Sequence, residues 1–285
     1  MILIADCGST KIDWCLLNTE TKKVERQVFT CGMNAVMLTE EEMESRIRAE
    51  LVPEISEFLG DITAVYYYGA GCISPEVNGN VATAIRSNIP AAKTIEVYSD
   101  LLAAARALCG TEAGIACILG TGSNSCYYDG KEIADNVSPL GFILGDEGSG
   151  AVLGKLFMGD VFKNQLPANI IQQFLDEYHL DRLTVIRRVY KEPQGNRFLA
   201  SVTPFLSKNI DVPEIHALVK NAFVAFFRRN ILQYPGAKEN PVNFVGSIAY
   251  YFRPVLEAAA AEAGCTVGNI IKSPMEGLLA YHLAN

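Results

Sequence analysis

The sequence predicts an α/β protein built from two lobes that share one opening pattern. Three observations carry this prediction. At 285 residues the chain exceeds one domain of ordinary size, which favours two. Its first third reads as three consecutive strands followed by alternating helix and strand. Beyond Gly110 the same opening returns as strand, glycine turn and strand.

The elements follow in order. Residues 1–6 form an apolar strand, Gly8-Ser9-Thr10 a tight turn, and residues 12–17 and 24–30 two further strands, giving a β-meander. Residues 39–59 carry apolar side chains at helical spacing among many glutamates, with Thr39 as N-cap and Glu42 completing a capping box. A buried strand (64–68), a helix (75–87), a strand (94–98) and a helix (101–108) complete the first lobe. The second begins with a strand at 114–119, a Thr121-Gly122-Ser123 turn, a strand at 125–128 and a third at 131–136. Residues 148–191 are helical, with further helices at 199–208 and 213–233. A short strand at 243–245 leads into Gly246-Ser247. The final helix, 274–283, is able to return to the first lobe. The expected lobes are therefore 1–110 joined by 274–285, and 111–273.

Composition narrows the function classes. Hydrophobic residues make up 49% and charged residues 20% of the chain, enough apolar material for a buried core. A net charge of -8 without any Lys/Arg-rich run opposes a nucleic-acid backbone and favours a small ligand. Residues Met1 to Asp6 lack a basic leader and meet a carboxylate too early for a signal peptide. No apolar run reaches the roughly 18 residues of a membrane span. The expected location is the cytoplasm, with no membrane partner. The eight cysteines fall mostly within apolar segments and read as core residues of a reducing compartment. They lack the paired spacing of a zinc site, and His179, His216 and His282 are scattered.

Five constellations carry chemistry. Asp6-Cys7-Gly8-Ser9-Thr10-Lys11 joins two strands: its N–H groups and hydroxyls suit phosphate oxygens, and Asp6 can orient a hydrated magnesium ion. An ordinary hairpin has the same turn residues. Leu119-Gly120-Thr121-Gly122-Ser123-Asn124-Ser125 sits at the equivalent place in the second lobe, so that two such loops can hold phosphates from both sides. Neither loop matches the P-loop or dinucleotide patterns. In Tyr98-Ser99-Asp100 the carboxylate follows a strand and precedes a helix, a position for a proton acceptor and equally for a helix cap. Gly145-Asp146-Glu147-Gly148-Ser149-Gly150 places two acids among three glycines, more than a cap needs, and favours contact with ligand hydroxyls. Val245-Gly246-Ser247 makes a small-residue turn that can lie against a flat base, or simply join strand to helix.

In this order and spacing, the segments resemble the sugar kinase, Hsp70 and actin superfamily. Within it the chain is similar to the N-acetylglucosamine kinase and BadF/BadG-type ATPase family over nearly its whole length. The paired loops and the Gly145 to Ser149 segment are the most specific features. The resemblance implies two ribonuclease H-like, actin-like ATPase lobes with a nucleotide cleft between them. It assigns Gly8, Ser9, Thr10 and Lys11 to the first phosphate loop, with Asp6 near the metal. Gly120, Thr121, Gly122 and Ser123 form the second phosphate loop, and Gly246 with Ser247 contacts adenosine. Asp100 falls at the catalytic base and touches the sugar; Asn34, Gly145 and Asp146 match sugar-binding positions. The iron–sulfur branch is disfavoured because no cluster motif is present.

The implied activity is transfer of the ATP γ-phosphoryl, with Mg²⁺, to the 6-hydroxyl of an N-acetylated hexosamine such as N-acetylglucosamine. A different sugar acceptor, or a nucleotide-dependent activator or sensor of a partner protein, stands as the alternative. The expected partner is a small sugar, and a homodimer is left open.

Overall fold

The computed structural model describes residues 1–8 and 10–284, so Ser9 of the first predicted phosphate turn lies outside the described residues. The chain divides into two compact units, Met1–Thr111 with Pro274–Asn285, and Glu112–Ser273.

In the first unit, β1 (Ile2–Cys7), β2 (Lys11–Asn18), β3 (Lys23–Cys31), β4 (Ala64–Gly69) and β5 (Thr94–Ser99) form one sheet in the order β3-β2-β1-β4-β5. The meander β1 to β3 is antiparallel, whereas β4 and β5 run parallel to β1. Two-residue periodicity sends alternate side chains to opposite faces. Leu3, Ala5, Trp14, Leu16, Val65 and Tyr67 meet Val81 and Ile85 of the helix Pro75–Asn88. Ile4, Cys15, Leu17 and Tyr68 meet Ala103 of the helix Asp100–Cys109 and Met275 and Leu278 of the C-terminal helix Met275–Ala284. Both faces of the sheet are thereby covered.

The predicted helix at 39–59 starts on its capping box: Glu42 N–H donates to Thr39 Oγ1 at 3.3 Å, and Thr39 N–H to Glu42 Oε2 at 2.9 Å. It is not one regular helix. Glu40–Arg46 is α-helical, Ile47–Leu51 is wound as a π-helix and Val52–Phe58 is 3-10. Pro53 is the physical reason, because it has no N–H to donate to the preceding turn and its ring crowds the carbonyl there. The chain rewinds around it, and Met43, Ile47, Leu51 and Ile55 all remain buried.

The second unit repeats the plan. Its strands β6 (Gly114–Leu119), β7 (Ser123–Tyr128), β8 (Ile133–Asp135), β9 (Val242–Val245) and β10 (Val267–Ile271) are ordered β10-β9-β6-β7-β8. Counted within the unit, this is again third, second, first, fourth, fifth. Two mixed α/β sheets of ribonuclease H-like order therefore make up the chain. The helical stretch after residue 148 resolves into Gly150–Phe162, Ala168–Tyr178 and Arg182–Tyr190. The helix Arg253–Ala263 and β10 have no counterpart among the predicted elements. Small residues in 258–264 and Gly268 dilute both periodicities, and the half-buried edge strand β10 has weak alternation.

Of the eight cysteines, Cys31 is exposed, Cys109 half-buried and the rest buried. Among the described residues no helix is long and apolar enough to cross a membrane.

Candidate active site

In each unit the predicted site residues gather at the carboxyl ends of the central parallel strands. This is where open α/β sheets offer backbone groups and loop side chains to a ligand.

In the first unit, β1, β4 and β5 end in register, with Cys7 opposite Gly69 and Gly69 opposite Ser99. Asp6 is one residue from the end of β1, and Asp100 is the first residue beyond β5. The cap of the following helix is Ser99, whose Oγ accepts from Leu102 N–H at 3.2 Å. The two local readings of Asp100 thus separate, because its neighbour does the capping. Burial raises the Asp100 carboxyl above its ordinary value, opposed by the N–H groups of Leu101 and Asp100. The positive end of the helix dipole favours its ionised form.

Asp6 is pushed up to about 7 by burial, then by Asp100 and Asp13, with Lys11 pulling it down. Asp13 was not among the expected site residues. It pairs directly with Asp6 across β1 and β2, is 6% exposed, and accepts from Gln27 Nε2 at 2.8 Å. Its signal lay in hairpin register: the pairing of Cys7 with Ile12 sets Asp6 opposite Asp13. Lys11 also extends over the Phe29 ring, 4.7 Å from the centroid.

Asn34 reaches the same sheet edge. Cys7 Sγ lies 3.0 Å from the Met33 carbonyl, and a Cβ on Gly71 would stand 2.5 Å from Asn34 Oδ1. Gly71 has φ +85°, so both backbone and space require glycine there. Asn34 Oδ1 accepts from Val36 N–H at 3.1 Å, a turn contact that fixes the side chain's orientation. The first turn is closed by Gly8 N–H donating to Lys11 O at 3.0 Å, and Thr10 stands exposed.

In the second unit, β6 and β7 are joined through Gly120, Thr121 and Gly122, one residue earlier than the predicted turn. Gly150 N–H donates to Gly120 O at 2.8 Å and Ala151 N–H to Thr121 O at 3.0 Å. The first N–H groups of the Gly150–Phe162 helix therefore hold the loop by its carbonyls. Ser149 caps that helix, accepting from Val152 N–H at 3.2 Å.

The acidic glycine turn folds against the same loop. Asp146 accepts from Ser123 N–H, and a Cβ on Gly122 would lie 3.2 Å from Asp146 Oδ2. Burial pushes Asp146 up to about 6, Ser123 N–H lowers it, Glu147 raises it and Lys155 lowers it. Asp146 has φ +53°, costly for any residue but glycine and often found at functional positions. Gly145 is packed so tightly on Pro139 that a Cβ would be 2.0 Å from its carbonyl oxygen. Glu147 turns elsewhere, pairing with Arg229 Nε at 2.5 Å and Asn230 Nδ2 at 3.3 Å, so the two neighbouring acids divide into site and scaffold.

Gly246 completes the group. Its φ is +125°, and a Cβ there would be 2.3 Å from Leu119 O, at the start of the second loop. Ser247 follows as an exposed first residue of the helix Ser247–Tyr251. Gly120 to Ser123, Asp146 and Gly246 are thus neighbours within one unit.

Among the described residues no three His, Cys, Asp or Glu side chains are grouped to hold a metal. A lone Asp6 beside other carboxylates fits Mg²⁺, which keeps several waters and takes its remaining ligands from phosphate.

Comparison with known proteins follows the same lines. A solved structure from Porphyromonas gingivalis that carries the name N-acetylglucosamine kinase is 47% identical, with 100% of this chain and 99% of that chain covered and a TM-score of 0.96. One of the same name from Chromobacterium violaceum is 16% identical, with 99% of each chain covered and a TM-score of 0.73. A ROK family glucokinase from Streptomyces griseus, solved with glucose and AMPPNP, is 14% identical over 98% of this chain and 97% of that one, with a TM-score of 0.52. The latter two show a shared fold. No protein-family model matches the chain, and no curated protein matches it.

Proposed function

The chain belongs to the N-acetylglucosamine kinase family, and on that premise we propose that it transfers the γ-phosphoryl group of ATP to the 6-hydroxyl of N-acetylglucosamine. The observation that carries this reading is Asp100. Its carboxylate is relieved of capping by Ser99, stands half-buried as the first residue beyond β5, and raises the proton affinity of Asp6.

Asp100 accepts the proton of the attacking hydroxyl, and its elevated affinity for protons brings it closer to the working pH of a general base. Asn34 and Asp146 accept or donate hydrogen bonds to the sugar, with Gly145 allowing close backbone approach. Gly8 and its turn, with Lys11, offer phosphate contacts within the first unit. Gly120 to Ser123 offer them within the second, and the first N–H groups of the helix at Gly150 fix that loop by its carbonyls. Gly246 and Ser247 present a flat surface to adenine. Mg²⁺, when bound near Asp6, supplies charge neutralisation of the phosphates. The protein's own contribution is then positioning and proton acceptance. We assign the reaction to the cytoplasm because it consumes ATP.

The test is a coupled ADP-release assay with N-acetylglucosamine, glucose, glucosamine and N-acetylmannosamine. The expected outcome is fastest turnover with N-acetylglucosamine. ADP release that no sugar accelerates would overturn the kinase reading.

A further inference from the structure

The second unit contains a groove of about 530 Å³, well within the size range of small-molecule sites. Phe142, Met158, Phe162, Val185 and Val189 form its apolar lining. It belongs to none of the residues assigned to the kinase reaction.

Two features define what would fill it. The helix Arg182–Tyr190 along one wall has no buried residue, and it leaves Leu183 71%, Ile186 45% and Tyr190 77% exposed. Ile143 on the opposite side is 75% exposed. This is more contiguous apolar surface than a helix in a finished core leaves to water. The charged residues that line the groove are Lys155, Lys163 and Arg182, without any Asp or Glu, in a chain whose net charge is -8. Lys155 donates to Phe142 O at 2.7 Å, whereas Lys163 and Arg182 have no ion pair among the described residues.

A wholly apolar occupant would leave the two exposed cations without a counter-charge. A wholly polar one would leave the apolar lining wet. An apolar chain ending in one carboxylate meets both requirements, and a guanidinium receives a carboxylate in two parallel hydrogen bonds. We propose that this groove is a binding site for a single-chain fatty acid, its tail along Met158, Phe162 and Val185 and its carboxylate at Lys163 and Arg182.

Gly159 makes the proposal testable without disturbing the core. It lines the groove, lies within the helix Gly150–Phe162, and a Cβ there would meet nothing within 4 Å. Gly159→Leu should therefore fill the groove and favour the helix. Dodecanoate, below its micelle-forming concentration, would be titrated calorimetrically into the full chain without nucleotide or sugar, so that failure here is separate from failure of the kinase reading. The expected result is one saturable site, weakened about tenfold or more by Gly159→Leu and likewise by the Lys163→Ala/Arg182→Ala pair. The pair keeps the test decisive should Gly159→Leu not fold, which its melting curve would show. Absence of a saturable site, binding unchanged in the paired variant, or equal binding of dodecyltrimethylammonium would overturn the proposal. So would a dimer in sedimentation that Gly159→Leu dissociates while dodecanoate does not bind, since the groove would then be covered by a second copy.

Discussion

Asp6 and Asp13 face one another as a direct pair across the antiparallel strands β1 and β2. Like charges directly opposed in a sheet are destabilising, and here one of the two is largely relieved by holding a proton. Gln27 and Lys11 lower the Asp13 carboxyl against the raising effect of burial, and Asp6 is the more strongly raised of the two.

The first prediction concerns that response. The Asp6 carboxyl is raised from 3.8 to about 7, by burial first and then by Asp100 and Asp13. The folded chain keeps the proton at pH values where the unfolded chain has lost it. Its contribution to stability is therefore whole below the ordinary carboxylate range and is lost as pH rises towards about 7. Asp6→Asn cannot ionise. Its melting temperature should gain on the wild type from about pH 4 up to about pH 7, with the difference level beyond. A difference independent of pH would show that Asp6 does not carry the raised pKa.

The second concerns Asp100 and Ser99. Asp100→Asn should retain nucleotide binding while turnover falls by about 10²-fold or more. Ser99→Ala removes the cap and should cost about 1 kcal/mol of stability in urea unfolding. It should also reduce turnover, because the cap sets the first helical turn that carries Asp100. Near-normal turnover in Asp100→Asn would remove the residue from the role of base.

Asp146 supplies the third. Its carboxyl titrates near 6, chiefly because it is buried. If the ionised form receives sugar hydroxyls, kcat/KM for N-acetylglucosamine should fall as pH drops through about 6. Asp146→Asn should abolish that limb and raise KM for the sugar by roughly tenfold or more. A KM unchanged in the variant would place Asp146 outside the sugar site.

The fourth concerns Gly246. Gly246→Ala puts a Cβ 2.3 Å from the Leu119 carbonyl at a φ of +125°. Neither atom belongs to a flexible side chain, so the second loop or β9 must shift. A loss of roughly 2–4 kcal/mol in denaturant unfolding is expected, with weakened nucleotide binding in a fluorescence titration. Wild-type stability would show that the backbone accommodates the change without strain.

Local chemistry made much of this protein legible in one dimension. Short apolar runs bounded by turn residues marked β1, β2, β4 to β7 and β9, because strands covered on both faces bury side chains of either parity. Thr39 and Glu42 announced the start of a helix, and the glycine turns after Cys7 and Leu119 exposed the repetition of one plan. The residue types of the candidate site followed from the same signals. Register and packing decided the rest. Whether Ser99 or Asp100 capped the helix depended on a hydrogen bond, and Glu147 parted from Asp146 only when Arg229 came within reach. The opposition of Asp6 and Asp13 and the grip of Gly150 on Gly120 both arise from partners separated along the chain. The pattern of types is written residue by residue, whereas proton affinity and hydrogen-bond choice depend on what burial brings beside each group.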